Sequence, residues 1–539
     1  MSNTNELVFV NYILDNVHGF IGLTTLEDQI EHLPIFKRLQ DISQLGLVKR
    51  IFPGALHNRY IHSLGVMHVI DQMALHLGKF NSAERQLLRL AGMLHDLGHY
   101  PLSHDLEQVY DRDESATGFE LPPIKETFLL DAQKDLYKIT GKSTTSPDDD
   151  ILDSIQIPER ELVVKKRYHH ETVTTRVIRA SSAIKNIIKE GIRSGYFNTS
   201  NLCWDNNSNE QQVEKMADNI INDICALIQG DGDYEYTKGA FPEYFTAMLQ
   251  MLHSELDADR IDYLLRDATF SGASYGSFDV GVLLQNLDMK KCIIGDLEAW
   301  IVGVKVKGIG CADQYMVNRY LAYTQVIFHK YTSIVGKMLR EVVYWMMNNS
   351  ADFTFYSPKQ LDAIIRDHEK NKSYLAFTDS YFFQHLNSIH KETHGCPDDI
   401  YYFIEQLRNY RSLDMESEDV FAGNLNQQKN HIMNSALYMH LKELELKDGG
   451  YPEKSLYLLN KKKITNHLPF SIFKENFEKY NNTHSEKLNY NKYQLDRLMD
   501  GLAVIDDNKE PYLLIDAPRS MITELYDVQQ VMLRRYSFG

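Results

Sequence analysis

Cysteine is scarce in this chain. Five of its 539 residues are cysteines, and no two of them form a CxxC pair. An odd and scattered set of thiols argues against both a disulfide framework and a thiolate zinc site. We therefore expect small buried apolar residues or inert surface thiols at Cys203, Cys225, Cys292, Cys311 and Cys396.

Long apolar runs are missing as well. No segment approaches the roughly 18 consecutive apolar residues that a membrane-spanning helix needs. Residues 1–19 also lack the basic and apolar regions of a secretory signal. These two absences predict a cytoplasmic protein without a membrane segment.

Positive charge is in deficit. Lys and Arg total 57 against 74 Asp and Glu, which gives a formal net charge of -17 at pH 7. Binding of nucleic acid phosphates needs a basic surface, so nucleic acid is not an expected partner. A small anionic substrate remains compatible if the basic groups are local. The hydrophobic content of 43% is that of an ordinary globular chain.

The first hundred residues have a mostly helical pattern, with a turn predicted at PGALHNR. In NSAERQLLRLAGMLHDLG, Asn81 and Glu84 have the spacing of a capping box, and Gly98 is expected to stop the helix. That helix would carry His95 and Asp96 on its last turn.

Further helices are predicted in three later segments: VEKMADNIINDICALIQG, MLHSELDADRIDYLLRDATFSG and the single long stretch DQYMVNRYLAYTQVIFHKYTSIVGKMLREVVYWMM. Between the last two, CIIGDLEAWIVGVKVKG predicts a β-hairpin. In that hairpin Val302, Val304 and Val306 are expected to alternate with Lys305 and Lys307.

Residues able to bind a metal gather in four short motifs. They are His57 and His62 in HNRYIHS, His95, Asp96, His99 and His104 in HDLGHYPLSH, His169 and His170 in YHHET, and Asp257, Asp259 and Asp262 in ELDADRID. A single His-Asp pair in a helix would be typical of a core imidazole. The combination of imidazoles and carboxylates without thiolates favours Mn, Fe, Co, Ni or Zn.

Together, HNRYIHSLGV, HDLGHYPLSH, YHHE and DADRIDYLLRD resemble, in this order, the motifs of the HD-domain superfamily of metal-dependent phosphohydrolases. More specifically they resemble the deoxynucleoside triphosphate triphosphohydrolases, which include bacterial dGTPase-like enzymes and the vertebrate dNTPase with a SAM domain. The resemblance runs from about residue 15 to about residue 413, and we expect no SAM domain.

This resemblance implies a mainly α fold with an HD-domain helical core, to which the sequence pattern adds a small β-hairpin and, from about residue 416, a C-terminal α+β region. We expect the core at 1–340, a helical extension at 341–415 and a regulatory or oligomerisation region at 416–539. Charged, proline-containing or polar stretches predict insertions in the core at about 111–165 and 194–212.

By the same resemblance, one divalent transition metal would be held by His62, His95, Asp96 and Asp259. Asp262 is the competing carboxylate, and it is otherwise expected to cap or brace the helix. Additional Mg²⁺ accompanying the nucleotide is left open. A bound divalent ion can polarise a phosphate oxygen and acidify water, which predicts a phosphohydrolase.

The resemblance also implies catalytic roles for two histidine–acid pairs. His104 and Glu107 lie three positions apart, so on a helix they share a face and the carboxylate can fix the imidazole tautomer. His170 is followed by Glu171. Which imidazole protonates the leaving 5′ oxygen stays open, as does the plain alternative of exposed helix pairs.

The substrate implied by the resemblance is a dNTP, cleaved at the α-phosphorus to deoxynucleoside and inorganic triphosphate. Basic residues would hold the triphosphate, Tyr263 would pack on the deoxyribose, Asp267 would accept from its 3′-hydroxyl, and Gln44 with Leu45 would disfavour a ribonucleotide. The remaining residues expected to bind substrate are Arg59, His99, Arg260 and Arg319.

A second, effector dNTP is expected by resemblance between the subunits of a homo-oligomer, a dimer or a tetramer. The residues at the corresponding positions are Phe52, Lys305, Lys307, His329 and Lys330, although both hairpin lysines are also explained as a solvent face. The family's guanine-activator positions read Leu14, His32, Lys37 and Gln40, so that activator is not expected. Ile327 replaces a tyrosine near the base, which leaves base preference open.

Two other classes of function remain open from the sequence. One is an HD phosphohydrolase acting on nucleoside monophosphates, cyclic nucleotides or alarmones. The other is a nonhydrolytic nucleotide sensor or a nucleic-acid-binding regulator. The complete ligand set argues against a nonhydrolytic protein, and the acidic balance argues against a nucleic-acid surface.

Overall fold

The computed structural model describes residues 6–110, 167–198, 209–232, 234, 244–349, 355–423, 455–483 and 488–537. Helices dominate these residues, which confirms the mainly α prediction. In chain order they are α1 Thr25–Glu31, α2 Pro34–Lys37, α3 Arg59–Leu77, α4 Ser82–Leu94, α5 His104–Tyr110, α6 His170–Ala180, α7 Ser182–Arg193, α8 Glu210–Gln229, α9 Phe245–Gln250, α10 Ala258–Ser271, α11 Val280–Gln285, α12 Ile309–Ala322, α13 Lys330–Asn348, α14 Pro358–Arg366, α15 Asp379–Ser388, α16 Asp398–Arg408, α17 Phe470–Thr483, α18 Tyr490–Asp500 and α19 Ile522–Leu525.

The strands form small sheets beside the helices. They are β1 Asn11–Asp15, β2 Gly19–Leu23, β3 Leu287–Ile294, β4 Leu297–Lys305, β5 Asp414–Gly423, β6 Ser455–Lys463, β7 Ala503–Ile505, β8 Tyr512–Leu513 and β9 Gln529–Ser537. The sheet orders are β1-β2, β3-β4-β7-β8 and β5-β9-β6. Only β4 and β7 pair in parallel among these strands. A C-terminal strand thus extends the sheet of the central hairpin.

The predicted hairpin is present but ends earlier than the valine–lysine alternation suggested. Strands β3 and β4 pair in antiparallel register, with Leu287 opposite Val304. Val306–Gly308 then form a 3-10 turn, so the expected alternation through Val306 and Lys307 is wrong. The chain leaves the strand there to enter α12.

Helix α4 begins as predicted and ends earlier. The Asn81 side chain accepts from the backbone of Glu84, and the Glu84 side chain accepts from the backbone of Asn81, which is the expected capping box. The last helical residue is Leu94, so His95 and Asp96 lie just beyond the helix and not on its last turn.

Gly98 is explained by a close approach, not by stopping the helix. A Cβ atom at Gly98 would lie 2.2 Å from the backbone nitrogen of Thr174 in α6. The Gly98 amide donates to the Thr174 hydroxyl at 2.8 Å. The glycine therefore lets α6 pack directly against the turn that carries the motif histidines.

Helix α10 begins later than predicted. The side chain of Asp257 accepts from the Arg260 amide at 2.7 Å, which caps the helix and sets its first residue at Ala258. Residues 251–257 therefore precede the helix. Gly272 ends α10 with φ 71°, a left-handed conformation that favours glycine.

The predicted single long helix from residue 313 is wrong, because the chain is interrupted between α12 and α13. Residues Tyr323–Ile327 form a π-helical turn, and His329 is extended with ψ 136°. The C-terminal sheet packs at this interruption: Arg534 donates to the Phe328 carbonyl at 2.8 Å, and Tyr536 donates to the Lys330 carbonyl at 2.7 Å. Contacts from distant strands therefore stabilise the interruption.

The N-terminal β1–β2 hairpin has no counterpart among the predicted elements. Its turn is fixed by Asp15, whose Oδ1 accepts from the amides of Val17 and His18, both at 2.9 Å. The turn brings the His18 imidazole into the protein interior, where its ring centroid lies 5.3 Å from that of His68.

The predicted insertions are only partly described. The segment 111–165 lies outside the described residues, as does most of 194–212. The end of the second insertion differs from the prediction, because Asn209 caps α8 and the helix already begins at Glu210. Of the cysteines, Cys225, Cys292 and Cys396 are buried free thiols, Cys311 is a half-buried free thiol, and Cys203 is not described.

None of the helices within the described ranges combines the length and the apolar character needed to cross a membrane.

A buried ionic network ties α1, α3 and α4 together near the N-terminus. Arg89 bonds Glu27 at 2.6 Å and Asp71 at 3.0 Å, and all three side chains are almost fully buried. Arg85 adds a second contact to Asp71 at 2.8 Å.

We expect Arg89→Met to destabilise the protein by about 3–5 kcal/mol, because it removes the buried cation that bonds Glu27 and leaves Asp71 with Arg85 as its cation. Thermal unfolding followed by circular dichroism measures the loss. Arg193→Met is the control, because the Arg193–Glu210 pair lies at the surface and its loss should leave the melting temperature close to wild type. Equal melting temperatures for both variants would contradict the expectation.

Candidate metal centre and active site

Four side chains from three parts of the chain converge at one point, where His62, His95 and Asp96 are buried and the Asp259 side chain is 39% exposed. His62 comes from α3, His95 and Asp96 from the turn after α4, and Asp259 from the first turn of α10. The His62 Nε2 atom lies 2.9 Å from an Asp259 oxygen and 3.8 Å from an Asp96 oxygen. The His95 Nε2 atom lies 3.9 Å from the same Asp259 oxygen. The structure thus brings all four predicted ligands together.

Hydrogen bonds fix the tautomers of both imidazoles. Nδ1 of His62 lies 2.7 Å from Asp262, and Nδ1 of His95 lies 2.8 Å from the Gly92 carbonyl. Both partners are acceptors, so each Nδ1 must donate a proton. In the neutral rings each Nε2 therefore presents a lone pair toward the carboxylates of Asp96 and Asp259.

These electron-rich atoms need a positive partner. The His95 Nε2 and one Asp96 oxygen are buried and have no hydrogen-bond partner among the described residues. Burial holds the pKa of His95 below its usual range and so keeps it neutral. Burial opposes protonation of His62 too, but hydrogen bonds with Asp259 and Asp262 raise its pKa to about 10. Without a cation, a proton has to occupy this position.

The carboxylate of Asp96 stays ionised. Burial alone would raise its pKa, but Arg59 and the neighbouring histidines hold it well below the usual range. Two imidazole nitrogens and carboxylate oxygens around one buried point suit a divalent transition metal, and Mn, Fe, Co, Ni and Zn all accept this donor set. The residues therefore fit the metal that the sequence predicts.

Asp262, the competing carboxylate, faces away from this point. Its oxygens contact Nδ1 of His62 at 2.7 Å, Nε2 of His18 at 2.6 Å and the Arg266 guanidinium at 2.8 Å. A Cβ atom at Gly65 would lie 1.9 Å from Asp262, so the glycine on α3 makes room for the carboxylate. Asp262 is thus placed to brace His62 from behind.

Neither His18 nor Arg266 is among the residues that the sequence motifs predict for the site. Arg266 also bonds Asp15 at 2.8 Å, so the N-terminal hairpin and α10 hold Asp262 from both sides. The DNVHG turn was the available signal for His18, but nothing in its spacing relates it to α10.

A second cluster adjoins the first through Glu107. One of its oxygens bonds Nδ1 of His104 at 2.6 Å, and the other bonds both Nδ1 and the backbone amide of His170 at 2.8 Å. Because both rings donate from Nδ1 to Glu107, their Nε2 atoms point away from Glu107. The His170 Nε2 lies 4.0 Å from Asp96, so the two clusters touch.

The two histidines of this cluster differ in exposure. The His104 side chain is 59% exposed, whereas that of His170 is 12% exposed. Burial opposes protonation of His170, but Glu107 raises its pKa to about 9. Burial also raises the pKa of Glu171 to about 8, which favours its neutral form. Glu171 lies 3.5 Å from Nδ1 of His169.

His99 is a buried donor without an acceptor. The Tyr100 amide donates to its Nδ1 at 3.0 Å, so the neutral ring carries its proton on Nε2. Burial and the positive charge of Arg59 hold the pKa of His99 well below its usual range. Its Nε2 has no partner among the described residues, and its ring stacks on His170 with a centroid distance of 4.6 Å.

The three predicted triphosphate-binding arginines each contact a carboxylate. Arg59 bonds Asp96 at 2.9 Å and is buried. Arg260 bonds Asp257 at 2.5 Å beneath the first turn of α10. Arg319 on α12 lies 3.4 Å from Glu255, and its Nε is buried without a hydrogen-bond partner in the described part of the chain.

Glu255 links Arg319 to the C-terminal region and was missed by the sequence reasoning. The Thr465 hydroxyl donates to its carboxylate at 3.0 Å, and the Leu502 amide donates at 3.4 Å. These partners are far apart in the chain, and no motif connects them.

Two of the residues predicted for the sugar, Asp267 and Gln44, contact His57. Asp267 on α10 bonds its ring at 2.8 Å, and the Gln44 amide donates to its backbone carbonyl at 3.1 Å. The Gln44 Oε1 is buried without a hydrogen-bond partner among the described residues. Leu45 is half-buried, as is Tyr263, which lies on α10 one turn after Asp259.

The residues predicted for an effector do not form one cluster within the described chain. Phe52 and His329 are in contact, with ring centroids 5.7 Å apart, and Lys330 follows directly. Lys305 instead pairs with Asp288 at 3.7 Å, and Lys307 is exposed on the turn after β4. The effector assignment therefore stays a prediction.

Comparison with known families places this site in an HD domain. Residues 59–180 match the family described as HD domain, so the chain contains one. The matched segment spans most of the metal-centre and Glu107 clusters, including His62, His95, Asp96, Glu107 and His170. Asp259 lies beyond it.

Curated relatives extend the similarity over part of the chain. The uncharacterized protein YwfO of Bacillus subtilis is 24% identical over 313 residues, which are 57% of this chain and 49% of that protein. The deoxynucleoside triphosphate triphosphohydrolase SAMHD1 of Homo sapiens is 44% identical over 98 residues, which are 17% of this chain and 16% of that protein. The chain thus spans about half the length of the Bacillus relative.

A solved structure shares the fold over almost the whole chain. The phosphohydrolase from Bacteroides thetaiotaomicron VPI-5482 has a TM-score of 0.55 and 16% identity, and the alignment covers 98% of this chain and 100% of that chain. At this level of identity the likeness concerns the fold.

We expect about one divalent transition metal ion per chain. Asp262→Asn should weaken binding of this ion by roughly 10- to 100-fold, because Asp262 orients His62 and the loss of such a partner usually has an effect of this size. Metal content and affinity are measured by mass spectrometry and by titration of the metal-free protein. Asp288→Asn on the hairpin is the control. Unchanged metal affinity in Asp262→Asn would contradict the bracing role.

Proposed function

We propose that this protein is a metal-dependent dNTP triphosphohydrolase, which converts a dNTP and water to a deoxynucleoside and inorganic triphosphate. The observation that carries the proposal is the meeting of two clusters at Asp96. One is the set of inward-facing lone pairs of His62, His95 and the carboxylates, and the other is the pair of histidines bridged by Glu107.

In this proposal His62, His95, Asp96 and Asp259 hold one divalent ion of the Mn, Fe, Co, Ni or Zn group. A bound ion of this kind supplies a Lewis acid that polarises a phosphate oxygen and acidifies water. Additional Mg²⁺ would enter with the nucleotide. The unpartnered His95 Nε2 and Asp96 oxygen support this assignment.

The Glu107 cluster handles protons. Glu107 holds Nδ1 of both histidines and leaves each Nε2 directed outward. His104 is the better candidate to protonate the leaving 5′ oxygen, because its exposure lets solvent return the proton after each turnover. His170, buried against Asp96, is suited to orient the reacting phosphate and water, with Glu171 beside it.

The triphosphate is held by His99 and by Arg59, Arg260 and Arg319. His99 offers a buried N–H that has no acceptor among the described residues and that a phosphate oxygen would satisfy. Guanidinium groups bind phosphate oxygens in a bidentate manner. Because each arginine contacts a carboxylate here, binding of the polyphosphate would rearrange or share those contacts.

The sugar is bound by Tyr263 and Asp267, which follow Asp259 along α10, together with Gln44 and Leu45. Tyr263 would pack on the deoxyribose, and Asp267 would accept from the 3′-hydroxyl. Gln44 and Leu45 would crowd the 2′ position and disfavour a ribonucleotide. Asp259, Tyr263 and Asp267 follow one another at intervals of four residues, so the helix itself sets their spacing from metal to sugar.

A regulated homo-oligomer, a dimer or a tetramer, completes the proposal. An effector dNTP would bind between subunits at Phe52, His329 and Lys330, together with Lys305 and Lys307. The contact between Phe52 and His329 supports only the first part of this site.

The decisive assay incubates metal-loaded protein with each dNTP, alone and in mixtures, and separates the products by chromatography. We expect deoxynucleoside and inorganic triphosphate in equal amounts, and mixtures matter because an enzyme awaiting an effector would be inactive with one nucleotide. Orthophosphate or a nucleoside monophosphate as product would overturn the proposal in favour of another HD phosphohydrolase. Nucleotide binding without turnover would instead indicate a sensor.

We expect Glu107→Gln to lower kcat by roughly 10²- to 10⁴-fold. The amide of Gln has one oxygen, so it cannot accept from Nδ1 of both His104 and His170 as the two carboxylate oxygens of Glu107 do. Metal content should stay at the wild-type value, because Glu107 is not among the proposed ligands. Glu298→Gln on the exposed face of the hairpin is the matched control. A Glu107→Gln enzyme with wild-type kcat would contradict the proton-handling role.

A further inference from the structure

His57 contacts two of the four residues that we assign to the sugar, Asp267 and Gln44. Its ring Nε2 lies 2.8 Å from Asp267 Oδ1, and its backbone carbonyl accepts from the backbone amide of Gln44 at 3.1 Å. The residue is 2% exposed, so water does not compete for either contact. One buried residue therefore joins α10 to the loop that carries Gln44.

The backbone around His57 is fixed by a short antiparallel pairing. Ser43 and Asn58 form an isolated β-bridge, and the Arg59 amide donates to the Ile42 carbonyl at 3.0 Å. The Gln44–His57 hydrogen bond belongs to the same pairing. A displacement of His57 would thus move the Gln44 backbone with it.

The His57 ring has little room to shift. Its centroid lies 4.8 Å from that of Phe270, near the end of α10. In the loop before it, a Cβ atom at Gly54 would lie 2.5 Å from the Phe270 carbonyl, so the loop packs directly on the helix. This packing sets the direction from which His57 meets Asp267.

Asp267 has hydrogen-bonding capacity that its contacts in the protein do not use. Asp262, on the same helix, is saturated by His18, His62 and Arg266. Asp267 has a single hydrogen-bond partner among the described residues, His57. An ionised carboxylate offers about four acceptor positions, so Asp267 keeps capacity for a hydroxyl donor.

We propose that His57 is a positioning residue for the sugar: it aims Asp267 at the 3′-hydroxyl and so sets the preference for a nucleotide that carries one. This inference rests on the proposed dNTP hydrolysis and assigns His57 no contact with the reacting phosphate. Its effect is confined to discrimination between nucleotides with and without a 3′-hydroxyl.

The test compares kcat/KM for a dNTP and for the matching 2′,3′-dideoxynucleotide. Wild-type protein should prefer the dNTP by at least about tenfold, the usual effect of one hydrogen bond to a charged group. His57→Phe keeps the ring packing and removes the donor. It should lower kcat/KM for the dNTP to about the dideoxynucleotide value and leave the dideoxynucleotide value unchanged.

His368→Phe is the matched control, because His368 is also 2% exposed, bonds only a backbone carbonyl through Nδ1 and lies outside the site. It should keep the wild-type ratio. If His57→Phe does not fold, His57→Leu removes the donor with a smaller side chain and should lower the ratio in the same way.

The outcomes separate the inference from the proposed function. A wild-type protein that hydrolyses no dNTP, alone or in mixtures, would remove the proposed function itself. An active wild-type protein whose ratio is unchanged in His57→Phe, or in His57→Leu where His57→Phe does not fold, would overturn the role of His57. Equal losses on both nucleotides would also overturn it.

Discussion

The site depends on lone pairs that face one another in a buried space. The Nε2 atoms of His62 and His95 are directed at the carboxylates of Asp96 and Asp259, and burial denies them water. Such an arrangement repels itself unless a proton or a metal ion lies between the groups.

The rest of the active site follows from how each imidazole is held at its other nitrogen. Asp262, the Gly92 carbonyl and Glu107 each bind an Nδ1 and thereby direct an Nε2. His99 is the exception, because the Tyr100 amide donates to its Nδ1 and leaves an N–H to donate. One set of rings is thus prepared for a cation or for proton transfer, and one ring for an anion. The proposed binding of a metal beside a polyphosphate would require both.

Local patterns predicted much of this arrangement. The capping box at Asn81, the face shared by His104 and Glu107 and the stripe on α10 all depend on helical periodicity, which the sequence carries directly. The choice between Asp259 and Asp262 could not be made in the same way, since both residues lie in one helical turn. The contacts of Asp262 with the distant His18 and with Arg266, one turn later on α10, show which carboxylate is turned away from the centre.

Long-range contacts explain what the sequence did not predict. The interruption at 323–329 depends on Arg534 and Tyr536, and Glu255 is held by Thr465, which lies about two hundred positions further along the chain. Helical periodicity continues through residues 313–347, so pattern alone predicts one long helix there. Contacts between segments so far apart leave no periodic signal in a single chain.

The central claim is tested most directly by the anomalous X-ray signal of crystals of the Mn²⁺-loaded protein. The account predicts one ion bonded to His62 Nε2, His95 Nε2 and the carboxylates of Asp96 and Asp259, at about 2.0–2.3 Å, the range of metal–ligand bonds to nitrogen and oxygen. Density for the ion at another place, or Asp259 turned away from the other three residues with no ion among them, would contradict it.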